Sequence, residues 1–515
     1  MANPKHRAIR ERWVVRGKLL LETPAHFGNG DADALTDMPL LFDEISHAPL
    51  LTGSSIAGAL RNYLREIETN YGKRFPDKED KIGVEKERNL LSTKLFGGYR
   101  SDDEGDQSPL IVHDAIGQST GIELRDGVKI DSETRTAEDQ KKFDIQLLSA
   151  GTVFDLRFEL LISDNADDEK LKEALATALM GLTNNEITLG ARKRRGFGQC
   201  TVEKWEVQVY DLLNHAGLKA WLASERSWAE EYPLTVQPQI DLASLARKVD
   251  NREKAHLEAT FHIDGTLLIR SGFGESDSGP DTVHLHSHHK NSDNPVPVIP
   301  GPSWAGVLRS RALKIARTVS ADEQAVDKTG KPRFKTIRVD GKEKIVRVLK
   351  AEVFTDRIFG PSEIKQGNKD TRASRISIEE SEIKESSSLV VTRVKIDRFT
   401  GGAYEGALFQ EQPIIGKPET QLTLDLNLRN PTEAELGLLL LLLKDLWTGD
   451  LPIGGESGIG RGRLKGTYAK LNANNHYWQF DETDEEYGVK LTTDDKPDSA
   501  QGFVDAFNKI ENWMV

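Results

Sequence analysis

The sequence predicts an α+β protein built as two tandem sandwiches of the ferredoxin type, each a sheet with helices on one face. Three observations lead there. One ordered set of short motifs occurs twice along the chain, and each set alternates strand-like stretches with two helical ones. The chain has 515 residues, which at ~100–200 residues per domain is enough for several cores.

The first repeated element is a strand followed by a glycine-containing loop. Trp13 to Leu21 leads into Phe27-Gly28-Asn29-Gly30-Asp31, and His256 to Ile269 leads into Phe273-Gly274-Glu275-Ser276-Asp277. The second is a helix start, Gly53-Ser-Ser-Ile-Ala-Gly-Ala-Leu-Arg61 against Gly301-Pro-Ser-Trp-Ala-Gly-Val-Leu-Arg309, which share the pattern G-x-S-x-A-G-x-L-R. Ile56, Leu60 and Leu64 recur every four residues on one face, and Pro302 suits a first helical turn. The third is Leu95-Phe96-Gly97 followed by Val128-Lys-Ile-Asp131, against Ile358-Phe359-Gly360 followed by Val394-Lys-Ile-Asp397. Both lie in long polar insertions, 98–145 and 361–410, and alternation of Val390, Thr392, Val394 and Ile396 predicts a hairpin in the second. Helices over Asp168 to Gly181 and Glu433 to Trp447 come next. The last element is a glycine-rich loop, Leu189-Gly-Ala-Arg-Lys-Arg-Arg-Gly-Phe-Gly198 against Ile453-Gly-Gly-Glu-Ser-Gly-Ile-Gly-Arg-Gly462. The four offsets are 246, 248, 266 and 264 residues, a consistency that argues for duplication. The expected organisation is a first domain over 1–235, a linker over 236–250, a second domain over 251–475 and an acidic tail over 476–515.

Composition narrows the function classes. A lone cysteine, Cys200, excludes an internal disulfide and a cysteine-based zinc site. The longest apolar run, Leu438 to Leu443, is far below the ~18 residues of a membrane span, and MANPKHRAIRERW lacks the apolar core of a signal peptide, so a cytoplasmic protein is expected. With 69 basic and 82 acidic residues the net charge is −13, so any nucleic-acid contact must come from local basic patches.

Such patches exist beside the closing loops. Arg192, Lys193, Arg194 and Arg195 flank Gly196, and Arg461, Arg463 and Lys465 flank Gly460. Glycines let backbone approach a phosphate, and the cations bind it irrespective of base sequence; the alternative is a tight turn with solvated charges. The helix starts at Gly53, Ser54 and Ser55 and at Gly301 and Ser303 offer a second anion site, or simply helix caps. Carboxylates crowd the loops before those helices: Asp31, Asp33, Asp37, Asp43 and Glu44, then Glu275, Asp277, Asp281 and Asp293. They can hold a divalent metal or assist proton transfer, or merely form turns. His284, His286, His288 and His289 have only His26 and His47 as possible counterparts, which favours a solvated loop over a metal site.

Taken in order, Asp37-Met-Pro-Leu-Leu, Pro49-Leu-Leu-Thr-Gly-Ser-Ser, Lys129-Ile-Asp131, Leu147-Leu-Ser-Ala-Gly-Thr-Val-Phe154, Lys395-Ile-Asp-Arg-Phe-Thr-Gly401, Leu408-Phe-Gln-Glu411 and the closing loops form a pattern. It resembles the RAMP superfamily of CRISPR-associated proteins, in particular the backbone subunit of type III effector complexes, here as two fused copies over about residues 12–205 and 256–470. The resemblance implies a modified RNA-recognition-motif fold in each half, a hairpin thumb, and guide RNA lying along a palm. It also implies stacking against other effector subunits and metal-dependent (Mg2+ or Mn2+) cleavage of complementary target RNA through the neighbouring ribose 2′-hydroxyl. By position, Asp37 matches the family's cleavage and metal-binding aspartate. Asp281 is the candidate in the second copy, although four extra residues separate it from Gly301. Expected RNA contacts are Gly53, Ser54, Ser55, Arg61, Lys129, Arg192, Arg194, Arg195 and Gly196 in the first copy, and Gly301, Ser303, Arg309, Lys395, Gly460, Arg461 and Arg463 in the second. Two rival readings stay open: a non-catalytic guide scaffold, and a metal-independent guide-processing nuclease.

Overall fold

In a computed structural model, residues 9–28, 30, 37–72, 80–98, 106–131, 136–163, 168–224, 240–247, 250, 252–271, 279–289, 292, 294–326, 330–339, 342–361, 373–485, 487–496 and 498–513 are described. The first copy is organised around β1 (Ile9–Leu21), the strand that sequence alternation places before the Phe27-Gly28 loop. It is followed by helix α1 (Gly53–Thr69), a hairpin of β2 (Ile122–Ile130) and β3 (Ala137–Leu148), strand β4 (Val153–Ser163), helix α2 (Asp168–Thr183) and strand β5 (Cys200–Asp211). β1 pairs antiparallel with both β4 and β5 inside a six-stranded sheet of which β5 is one edge. Val15, Leu19 and Leu21 from β1 meet Phe154, Phe158, Leu60, Leu64, Leu175 and Leu179 in one apolar cluster, which seats both helices on a single face of the sheet. Such burial, at ~25 cal/mol per Å² of apolar surface, is the main force holding the layers together.

The second copy repeats the plan. Its elements are β6 (Lys254–Asp264), α3 (Gly301–Ser320), a hairpin of β7 (Val391–Ile396) and β8 (Ala403–Gln412), β9 (Leu422–Arg429), α4 (Glu433–Trp447) and β10 (Arg463–Ala473). β6 lies between β9 and β10, as β1 lies between β4 and β5. α4 opens on a reciprocal cap: Thr432 accepts from the Glu435 backbone while the Glu435 carboxylate accepts from that of Thr432.

Residues from 476 on, expected as an acidic tail, instead continue the fold. Strands β11 (His476–Glu482) and β12 (Val489–Thr493) extend the sheet beyond β10, and helix α5 (Ser499–Asn508) packs on α4. The reason is aromatic. Trp513 stacks on Phe354 at 4.7 Å and on Phe507 at 5.2 Å, and Trp478 meets Phe503 edge-on at 5.1 Å, so the four large rings that this segment supplies outweigh the acidic composition around them.

The two copies meet at a joint that is ionic at its centre. Arg125 of β2, 5 % exposed, donates to Glu380 (2.5 Å), Glu123 (3.1 Å) and Ser287; the His288 backbone N–H returns a bond to Glu123 (2.9 Å). Arg429 pairs with Glu66 at 2.6 Å and Arg252 with Glu186 at 2.5 Å further along. The turn Lys193–Arg195 seats against the start of α3, where a side chain at Gly301 would lie 2.4 Å from the Arg195 carbonyl oxygen.

Beside this joint Glu379 is half-buried, with its Oε2 out of solvent and without a hydrogen-bond partner. Burial, reinforced by Asp425, pushes its carboxyl up to about 7. A raised folded value means ionisation opposes folding, so stability is fullest below the ordinary carboxyl range and is lost as pH rises through 7. Glu379→Gln is therefore expected to raise stability at pH 8 relative to the parent, by roughly 1–3 kcal/mol, and to make little difference at pH 5. Urea melts at the two pH values check this; equal effects at both would contradict it.

Candidate nucleic-acid interface

Asp37 and Asp281 occupy corresponding places. The Asp37 Oδ2 accepts from the Asp144 backbone N–H at 3.0 Å, and the Asp281 Oδ2 accepts from that of Gln410 at 2.8 Å. The next residues, Met38 and Thr282, form parallel bridges to Ile145 and Glu411. Asp144 and Gln410 are themselves separated by 266 residues, the offset of the Lys-Ile-Asp motifs. The four-residue insertion after Asp281 falls elsewhere. It lies between His286 and Pro297, which pair as Phe42 and Pro49 do in the first copy. Each aspartate is thus exposed at the root of a hairpin, tethered through one carboxylate oxygen. Asp31, Asp33, Glu275, Asp277 and Asp293 lie outside the described residues.

The surroundings of the two aspartates differ. Around Asp37, a hydrogen bond to the Asp126 carboxyl holds Asp144 above the usual carboxylate range, and Asp37 adds to the effect. Around Asp281 the same strand positions carry Gln410 and Thr392, whose side chains hydrogen-bond at 3.4 Å. Among the described residues no three His, Cys, Asp or Glu side chains converge as a metal cage. A single tethered carboxylate suits Mg2+ or Mn2+ only where phosphate oxygens and water complete the shell, which is how magnesium is commonly bound.

Next to Asp37 in sequence, Met38 borders an open cleft of about 520 Å³, lined also by Gly28, Thr52, Ser55, Gly190 and Lys193 among others. Three features singled out in the sequence meet there: the first glycine loop, the helix start and the closing loop. Thr52, not singled out, is the cap: its Oγ1 accepts from the Ser55 backbone at 3.3 Å and contacts the Ser54 and Ser55 hydroxyls. Ser54 and Ser55 are exposed, whereas the Gly53 N–H is taken by Asp114 Oδ1 at 2.6 Å. In the second copy Ser303 follows an uncapped Pro300, and Gly301 lies under the first copy's closing turn. Gly301 and Gly196 therefore serve the joint, since a side chain at Gly196 would meet the Glu380 backbone at 2.6 Å.

The closing turns have one backbone shape and opposite electrostatics. Arg192 and Glu456 precede them in the left-handed region, at φ 54° and 61°, and Gly196 and Gly460 follow at 81° and 87°. Among the described residues no carboxylate lies within ion-pairing distance of Lys193, Arg194 or Arg195. Burial, together with the nearby Arg429, pushes the Arg194 guanidinium down to about 10. Clustered, half-buried cations without counter-charges are costly alone and are relieved by a bound polyanion. Arg192 lies over the Phe143 ring at 4.1 Å, beside Asp37's neighbour Met38.

Arg461 is a correction. Expected at an RNA surface, it is 5 % exposed and held by Glu411 at 3.0 Å and Glu456 at 2.5 Å, with Arg270 and Arg393 completing the network. At the matching places the first copy has Phe197 and Ile145 in an apolar cluster. One packing position thus holds an apolar pair in one copy and an ion pair in the other. Arg61 and Arg309 are corrected likewise: Arg61 donates to the Gly97 carbonyl at 3.0 Å, and Arg309 to that of Gly360 and to Asp356. These arginines join the helix-start motif to the Phe-Gly motif, which explains why both repeat. Arg463 is half-exposed near Asp264 at 3.7 Å, and Lys395 is exposed over the Tyr404 ring at 4.8 Å. The side chain of Lys129 lies outside the described residues. The histidine cluster is no solvated loop throughout: His284 is buried, accepts from the Ile269 N–H and donates to the Val298 carbonyl, and burial pushes it down to about 4.

Among the described residues no helix is long and apolar enough to cross a membrane. Compared with known proteins, the chain is 27 % identical over 199 residues to the CRISPR system Cms endoribonuclease Csm3 of Streptococcus thermophilus, a match covering 36 % of this chain and 85 % of that protein. A family model for the RAMP superfamily matches twice, over residues 18–201 and 261–465. Those spans coincide with the two units whose sheets, helix starts, hairpins and closing turns correspond motif by motif, and the chain is a member of the RAMP superfamily carrying two copies of its domain.

Proposed function

We propose that this chain is a double backbone subunit of a type III CRISPR effector: it holds guide RNA and cuts complementary target RNA at Asp37 and Asp281. The observation that carries the reading is the matched tether of the two aspartates, each bonded to the root of a hairpin beside a helix start. Kinship with the Csm3 endoribonuclease supports the reaction class. A divalent ion, when bound, would supply Lewis-acid stabilisation of the phosphate charge. The chain's own part is positioning. Arg192, Lys193, Arg194 and Arg195 would neutralise guide phosphates, exposed Ser54 and Ser55 would donate to them, and the hairpins would interrupt the duplex so that a ribose hydroxyl meets its own phosphate in line. Specificity would come from guide pairing.

RNA binding tests the cradle directly. Arg194→Ala is expected to weaken guide RNA binding similarly for all sequences and to lower the slope of log affinity against log salt by about one. Arg461→Ala is expected to lower thermal stability and leave that slope unchanged. Fluorescence anisotropy across a salt series measures both slopes and a thermal melt the stability, and an affinity indifferent to salt would remove the cradle.

A further inference from the structure

The joint inside the chain is a template for what its free ends accept. On the first copy's outgoing face, Glu123, Arg125 and Arg195 press against the second copy. Strand register identifies the matching residues of the second copy's outgoing face, because Arg125 pairs with Ile145 where Val391 pairs with Glu411. They are Leu389, Val391 and, by the closing turns, Ile459; Leu389 is 49 % and Ile459 59 % exposed. At the centre of the joint, the charged Glu123, Arg125 and Arg195 are thus replaced by apolar residues.

The receiving side changes in the opposite sense. The second copy meets Arg125 with Ser287 and Glu380, and Glu123 with the His288 N–H. In the first copy the same register positions carry Asp43, Glu44 and Asp114, since Phe42 pairs with Pro49 as His286 does with Pro297, and Leu51 with Ala115 as Ile299 does with Ser381. Docking one chain's outgoing face on another's receiving face would bury three carboxylates against Leu389, Val391 and Ile459 with no cation to meet them, an arrangement that costs more than it gains.

We infer that the outgoing face of the second copy docks a different chain of the same fold, one with an uncharged, apolar receiving surface, and that this chain does not add to itself. The inference rests on the effector-subunit reading. Its first test is the mass of the full chain without RNA over a wide concentration range, by analytical ultracentrifugation. The parent is expected to stay a single chain. Val391→Arg, which restores a cation opposite Asp114, is expected to strengthen self-association roughly 10-fold or more in low salt. A parent that self-associates, or a Val391→Arg chain that stays single, overturns the assignment. The second test places a polarity-sensitive fluorophore on Ile459→Cys, the native thiol of Cys200 being buried. Emission is expected to shift to the blue when the other effector subunits are added and not when more of this chain is added. The reverse pattern, or no shift with the assembled effector, overturns it. Guide RNA binding by the same samples reports separately on the functional reading, so failure of one is distinguishable from failure of the other.

Discussion

Asp37→Ala is expected to remove one target-RNA product and Asp281→Ala another, each by roughly 100-fold or more, with guide binding intact in both. The expectation follows from the tether. One carboxylate oxygen is fixed by a backbone N–H of the hairpin root, and in the proposed reading the other would face the target phosphate. Side chains that contribute only net charge would behave otherwise, because neighbouring carboxylates could replace them. Cleavage of a guide-complementary RNA by the reconstituted effector with magnesium, resolved on a sequencing gel, distinguishes the outcomes. Loss of one band per single variant and of both in the double variant supports two independent sites. An unchanged ladder in the double variant would make the chain a scaffold and place the nuclease in a partner. Cutting of precursor RNA by the isolated chain in a chelator would favour the guide-processing reading.

Arg125→Ala is expected to be among the most destabilising single changes in the chain, about 3–5 kcal/mol. The side chains of Arg125 and Glu380 are 5 % and 1 % exposed, so removing the guanidinium leaves Glu380 and Glu123 with only the His289 and His288 rings beside them in a site nearly closed to water. Arg125→Met, with Glu380→Gln to remove the buried charge, should recover much of the loss, since a buried ion pair is often no more stable than a packed apolar substitute. Urea melts of the parent, the single variants and the double variant form the cycle that measures the coupling. If Arg125→Ala alone changed stability by less than the scatter of the measurement, the joint would not be held at this point.

Much of this was legible because duplication turns one sequence into two. The helix starts, the helix over Glu433–Trp447 and the strands on either side of them follow from periodicity repeated at a common offset. Asp281 was legible only by position, and an insertion obscured the spacing; strand pairing, which ties it to Gln410, removes that ambiguity. What composition could not show was the fate of each charge. Arg461 and Arg194 look alike in sequence, yet one is enclosed by Glu411 and Glu456, 50 and 5 residues away, and the other has no carboxylate within ion-pairing distance among the described residues. Arg61 and Arg309 looked like RNA contacts because they repeat, and they repeat because each holds a glycine carbonyl. The aromatic rings that fold residues 476–513 are too widely spaced to show a period, so their acidic neighbours dominated the reading.

The placement of β1 also governs how the chain can be made. An interior strand of its sheet, it is synthesised well before β4 and β5, the strands it pairs with. At ~5–20 residues per second, roughly 130 residues of delay leave Trp-Val-Val-Arg-Gly-Lys-Leu-Leu-Leu without a partner for about 7 to 26 s on the ribosome. Arg16 and Lys18 interrupt that apolar run at alternate positions, and such interruptions discourage strand-to-strand aggregation. The same wait recurs for β6 until β9 emerges. Each copy therefore closes only when its own C-terminal half is complete, and until then Arg16 and Lys18 are the charges that break up the exposed apolar strand.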